Sequence, residues 1–346
     1  MRIAFTVDIS NLETLGATSR GGRIDRSLLV DLAWAAESAG VDRLLITEGD
    51  GAQDATSIAS YFLHATATLG VEVEHRADLI SPDVAARQIA TLDQLSGGRI
   101  TVRVASPSAD GLLSHEESFA QLEEYLMLLK RLWTNDKPID YEGRFHRLKA
   151  AFSGAKPFAA AAVPIALAGV SGTAVNVTAR HADVFVLPAA SVEETRRTIT
   201  RVREAVARYR HADAVRFALP VRPSKGHHLT PVIQYTDLRP STSAANLRAV
   251  GGKGKADHVS HRAVDATAVA GSPEKLALAL IDYCDVGVTD FIVAGLRTVH
   301  EVSTFASSVA PLVRRALAHR SGNHPGEELR AGFANPSFAR WGRYPA

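Results

Sequence analysis

The sequence predicts an α/β protein folded as a closed (β/α)8 barrel. Short apolar and β-branched runs alternate with longer amphipathic runs along nearly the whole chain. The beat returns eight times at roughly 35–45 residues, and strand–helix alternation of that kind implies parallel strands joined by right-handed crossovers. A length of 346 residues suits one large barrel. An open doubly wound sheet split between two domains is the alternative, and it accounts less well for an even beat from end to end.

Residues 2–7 (RIAFTV) open the series as a short apolar strand. In 26–39, Leu28, Leu29, Leu32, Ala35, Ala36 and Ala39 share one helical face, and Gly40 stops the helix. Residues 43–47 read as a strand and 53–68 as a helix. VEVEHR at 71–76 is a weaker strand, because its alternation puts charges on one face. Residues 82–96 form a helix with Ser81 as cap, Pro82 in the first turn and Gly97-Gly98 as stop. Then come strand 100–105, helix 116–134, strand 163–169, helix 171–181 and strand 183–188. Helix 191–210 opens with a capping-box pattern, Ser191 and Glu194. Strand 215–221, helix 272–286, strand 289–295 and helix 299–318 complete the eight.

Two stretches leave the pattern. Residues 136–162 hold a hairpin around Glu142-Gly143 and an Ala-rich connection. Residues 222–270 lack periodicity and carry seven Arg and Lys against three Asp, a segment charge of +4. So long an irregular stretch reads as a lid or a disordered insertion. The expected organisation is one barrel domain over 1–318, with 222–270 as the insertion and 319–346 as a polar, then aromatic, tail.

Composition excludes several function classes. With 39 Lys+Arg against 37 Asp+Glu, the net charge of +2 supplies no field for nucleic acid or membrane. The single Cys284 forms no internal disulfide and fits a reducing compartment. No window has the roughly 18 apolar residues of a membrane helix, and the N-terminal run is no signal peptide. The expectation is a cytoplasmic protein.

Barrel enzymes work at the C-terminal ends of their strands. The candidates are therefore Asp8 and Ser10; Glu48 to Asp50; Arg76 and Asp78; Ser106 to Ser108; Gly169 to Thr173; Pro188; Arg222; and Gly295 to Arg297. AGVSGTA at 168–174 has the best physical case. A strand ends there, glycines allow close approach, and a helix N-terminus favours a phosphate, with Ser171 and Thr173 as added donors. The competing reading is a tight turn with Ser171 as cap. Arg76 could hold an anion or pair with Asp78 or Asp50; Arg103 either faces a helix or meets a carboxylate in the lumen. His227, His228, His258 and His261 lack a helix to orient them and a further ligand, so no metal site is expected. GGKGK at 251–255 lacks the strand and hydroxyl residue of a P-loop, and no G-x-S-x-G elbow is present.

SPDVAARQIATLDQLSGGRITVRVAS at 81–106 closely resembles the third-helix and fourth-strand signature of the bacterial luciferase-like flavin monooxygenases. HEESFAQLEEYLMLLKRLWT at 115–134, VPIALAGVSGTAVNVTARHADVFVLP at 163–188 and GSPEKLALALIDYCDVGVTDFIVAGL at 271–296 match in the same order. The nearest branch looks like the alkanesulfonate monooxygenases. The resemblance implies reduced FMN from a partner flavin reductase, oxygenation of a small organic substrate, an anionic one where Arg222 or a lid Arg neutralises it, and a homodimer or tetramer. A sibling activity with the deazaflavin F420, or a flavin-less barrel serving as a binding scaffold, are its alternatives. By resemblance the cofactor residues are Arg76, Ser106, Gly169, Ser171 and Gly172, and the catalytic cations are Arg222, Arg239 and Arg248, with Arg262 a further lid counterpart. The pocket departs from the family pattern: Asp8-Ile9-Ser10-Asn11 replaces a His after the first strand, and Ala52 stands near a small polar position. The run that touches the flavin ring reads Arg103-Val104-Ala105-Ser106-Pro107, Phe119 replaces a Tyr, and Pro220 and Arg222 replace an Arg and a His.

Overall fold

The structure, a computed structural model, describes residues 2–10, 12, 24–47, 53–105, 113–159, 162–224 and 266–320. The first half alternates β1 (Ala4–Asp8), α1 (Arg26–Ser38), β2 (Arg43–Ile46), α2 (Ala55–Ala65), β3 (Gly70–His75), α3 (Pro82–Ser96), β4 (Ile100–Val104) and α4 (His115–Thr134). A hairpin of β5 (Ile139–Glu142) and β6 (Arg147–Ala151) follows. The second half runs β7 (Ile165–Ala168), α5 (Gly172–His181), β8 (Val184–Val186), α6 (Val192–Val206), β9 (Arg216–Ser224), β10 (Thr267–Ala270), α7 (Pro273–Asp285), β11 (Asp290–Val293), α8 (Val299–Ser308) and α9 (Ala310–Arg320).

Strands pair in the order β9-β11-β1-β2-β3-β4-β7-β8, and β8 returns to β9, closing a parallel eight-stranded barrel. The eight expected strands and the hairpin are all present. VEVEHR, the weak candidate, is a full strand, because its charged face lies in the lumen where the charges find partners.

Three expectations need correction. The irregular stretch is shorter than 222–270: β9 runs on through Pro223 to Ser224, and β10 pairs with it from Thr267↔Val221 to Ala270↔Ser224. Two prolines and a four-residue run hid this pairing, since neither looks like an interior strand. The last helix breaks at Val309, because Pro311 cannot donate the next helical hydrogen bond. Ser81 stands at the N-cap of α3 but makes no side-chain cap; its hydroxyl donates to Asp83 at 2.7 Å. Elsewhere the punctuation holds. Gly97 closes α3 at φ 68°, a left-handed conformation costly for a residue with a side chain, and Ser191 with Glu194 forms a reciprocal capping box on α6.

Strand residues alternate between two cores. Phe5, Val7, Leu44, Val73, Val102, Phe185, Phe217 and Phe291 face outward and join the helices' apolar faces in one buried cluster. Leu45, Ala166, Val184, Val186, Ala218 and Ile292 form a second, smaller cluster inside the ring. Among the described residues, no helix is long and apolar enough to cross a membrane.

Candidate active site at the barrel mouth

In such a barrel each lumen layer takes one residue from each of four alternate strands. The observed register places Asp8, Glu74, Ala168 and Pro220 in the uppermost layer of the strands. Beneath it lie Leu45, Arg103, Val186 and Ile292, then Thr6, Glu72, Ala166 and Ala218, then Arg43, Thr101, Val184 and Asp290. Such a lumen is more charged than the branched aliphatic filling usual in these barrels.

The charges interlock. Arg103 Nε donates to Glu72 Oε1 at 2.6 Å, and Nη2 lies at the same distance without hydrogen-bond alignment. Lower down, Asp290 accepts from Arg43 and, at 3.0 Å, from Arg216, while Thr289 donates to its other oxygen at 2.7 Å. Burial works against the charge of Arg43, but Asp290, Glu72 and Asp42 together raise its pKa above the ordinary value. Of the two readings open for Arg103, the lumen carboxylate is therefore the right one. Its guanidinium reaches down to the Glu72 layer, below the mouth.

The turn from β7 to α5 has the geometry of an anion seat. Gly169 has φ 128°, and a Cβ there would stand 2.7 Å from Ala174 Cβ, so only glycine fits. Ser171 caps α5, accepting from Ala174 N at 3.1 Å, and its hydroxyl also lies 3.0 Å from His115 Nε2. As in any helix, the N–H groups of the first turn, here Gly172 and Thr173, have no intrahelical acceptor. A Cβ on Gly172 would meet nothing within 4 Å, so the approach to these donors is open. Phe119 packs beneath the turn, its ring edge 3.6 Å from the Gly169 Cβ position, and Arg201 holds the Val170 carbonyl at 2.7 Å. Ser171 thus caps the helix, which is the competing reading of the turn.

The other expected residues divide. Arg76 grips Asp78 through two hydrogen bonds of 2.9 and 2.6 Å, as the ion-pair alternative expects. Arg222 is exposed at the rim and leans across Gly295, where a Cβ would lie 3.0 Å from its Cγ. Ser106, Arg239, Arg248 and Arg262, the four insertion histidines, Pro107 and GGKGK lie outside the described residues. Cys284 is buried within α7, away from the mouth. Behind β3, His75 Nε2 meets the Tyr125 hydroxyl at 2.6 Å, and burial pushes the His75 pKa down to about 4.

Sequence reasoning passed over His115 and Glu72. No spacing marks His115; only the packing of α4 against α5 brings it to Ser171. Glu72 had a signal, since it lies on the same strand face as Glu74 and next to the strand bearing Arg103. A cleft of about 480 Å³ lined by Glu123, Glu124, Met127, Tyr141, Arg180 and His181 lies on the helical exterior, at the far end of α5 from its mouth-facing start. Arg180 and Glu123 pair with each other there.

A closed parallel barrel with an anion-receptive turn at its mouth defines an enzyme scaffold of the (β/α)8 class. The family model of the luciferase-like monooxygenases matches residues 5–290, and the chain belongs to that family. Among solved structures, the long-chain alkane monooxygenase LadA superposes with a TM-score of 0.72 at 16% identity, covering 94% of this chain and 93% of that one. A riboflavin lyase solved with modified FMN and riboflavin gives 0.69 at 16%, covering 97% and 94%. The coenzyme F420-dependent tetrahydromethanopterin reductase from Methanopyrus kandleri gives 0.69 at 14%, covering 90% and 99%. At these identities the structural likeness speaks for the fold.

Proposed function

We propose that the protein is a two-component monooxygenase that binds reduced FMN from a separate reductase and oxygenates a small organic substrate. The observation that carries this reading is the β7–α5 turn, where Gly169, Ser171, Gly172 and His115 converge. The residues present fit a flavin phosphate. Only glycine is sterically allowed at 169, and the helix start is uncovered and its dipole favours an anion. The chemistry such a cofactor supplies when bound is the two-electron activation of oxygen. The chain's own part is to bind, orient and exclude water. Ser171 and the first N–H groups of α5 hold the phosphate, while the layer of Asp8, Glu74, Ala168 and Pro220 floors the space above the strands.

The scaffold-only alternative loses one of its supports, because Arg103 is tied to Glu72 below the mouth and does not occupy it. A deazaflavin with a phosphate would satisfy the same turn, so F420 stays the competing ligand. We further expect a homodimer; a light-scattering mass of one chain at micromolar concentration would contradict that.

Comparing FMN with riboflavin by fluorescence titration tests the reading. The phosphate should tighten binding by about tenfold or more, through charge-assisted hydrogen bonds, and millimolar inorganic phosphate should compete. Equal affinity for riboflavin and FMN would remove the phosphate from this turn.

A further inference from the structure

We propose that Asp8 is a substrate-recognition residue, and that it selects neutral or cationic substrates bearing an O–H or N–H donor over anionic ones. The inference rests on the oxygenase reading of the barrel mouth and narrows its substrate class.

Asp8 ends β1 with its neighbours Val7 and Ile9 in the outer core, so its side chain turns into the lumen. It is fully buried. Oδ1 accepts the Ser10 N–H at 2.9 Å, while Oδ2 has no hydrogen-bond partner among the described residues. A buried carboxylate oxygen left unmatched is costly, so such an atom calls for a donor.

Its own layer cannot provide one. Ala168 and Pro220 have no side-chain donor, and Glu74 is another carboxylate. The lumen guanidinium groups pair below that layer: Arg43 and Arg216 with Asp290, and Arg103 with Glu72, toward which its Nη2 also turns without making a hydrogen bond to it or to Asp8. At the rim, Arg76 is taken up by Asp78, and Arg222 is exposed, where solvent screens its charge. Among the described residues, the deepest part of the mouth thus carries two carboxylates, Asp8 and Glu74, and gives Asp8 Oδ2 no donor. A ligand that brings a hydroxyl, amine or amide N–H completes it, whereas a sulfonate or carboxylate there would face like charge. Arg222 then marks the outer rim rather than the recognition point, which departs from the anionic substrate implied by the resemblance.

The test uses four probes of matched length, hexanol, hexylamine, hexanoate and hexanesulfonate. Each is titrated into FMN-loaded protein and followed both by flavin absorbance and by heat. Hexylamine and hexanol should bind at least about tenfold tighter than the two anions. Asp8→Asn should lose the preference for hexylamine by about tenfold, and Asp8→Ala should weaken hexanol as well, with FMN affinity retained in both. Preference of the wild-type protein for the anions overturns the proposal even if neither variant folds. So does an Asp8→Asn protein with unchanged selectivity, or one whose only loss is FMN affinity, which would give Oδ2 to the cofactor. Wild-type protein that takes up no FMN contradicts the oxygenase reading instead, and the heats still report whether the mouth prefers donors to anions.

Discussion

Glu72 and Arg103 form an ion pair inside the barrel, with side chains 5% and 8% exposed. Replacing Glu72 by Gln keeps the volume and removes the charge, leaving Arg103 buried without a counter-ion. Breaking a buried pair from one side typically costs about 3–5 kcal/mol. The figure for Glu72→Gln should lie in the upper part, because Glu72 also supports the buried Arg43. Arg103→Met should cost less, since Glu72 keeps Arg43 nearby. A Glu72→Leu/Arg103→Met double variant removes both desolvation penalties and should recover to within about 1–2 kcal/mol of wild type. Urea denaturation by circular dichroism reads these differences as midpoint shifts at constant slope. A Glu72→Gln loss below about 1 kcal/mol, or a double variant as damaged as the sum of the singles, would refute the claim that this pair is a desolvated unit.

Gly169→Ala should destabilise by about 2–4 kcal/mol, from backbone strain and the contact with Ala174, and should weaken FMN. Gly172→Ala, with open space around its Cβ, should leave stability within about 1 kcal/mol of wild type; equal damage from both would undo the steric account of the turn. Ser171→Ala should cost about 1–2 kcal/mol of flavin binding, and unchanged affinity would return Ser171 to capping alone. Acid should destabilise through His75 and His181, whose pKa values burial lowers to about 4. Between the ordinary value of 6.5 and about 4, the unfolded chain takes up these protons and the folded one does not. Stability therefore falls as pH drops through that window, by about 1.4 kcal/mol per pH unit per group. Asp93, raised by burial to about 6, works the other way between 3.8 and 6, because there the folded state keeps a proton the unfolded state has lost. His75→Gln should flatten the thermal midpoint against pH, and Asp93→Asn should steepen it; a His75→Gln profile parallel to wild type would contradict the assignment.

The barrel was readable because its signals are local. Apolar periodicity, a Pro at the start of α3 and the glycine that ends it each act over one or two turns of chain. The Ser171 turn was readable for the same reason, since strand end, glycines and helix start lie within seven residues. What escaped depends on closure. Arg103 has a partner only because β3 and β4 lie side by side in register, and Arg43 meets Asp290 only across 247 residues of sequence. His115 reaches Ser171 through helix packing that no spacing encodes. Likewise β10 is four residues long and makes sense only against the extended end of β9. The family pattern pointed to the same turn but offered no guide to Asp8, where this chain departs from it.

The most direct test is an anaerobic titration of the purified protein with reduced FMN, with oxidised FMN and F420 in parallel cells. Reduced FMN should bind with micromolar or tighter affinity, at least about tenfold tighter than F420, and Gly169→Ala should weaken it. Preference for F420 would move the protein to hydride transfer, and binding of neither would contradict the assignment of the barrel mouth as a flavin site.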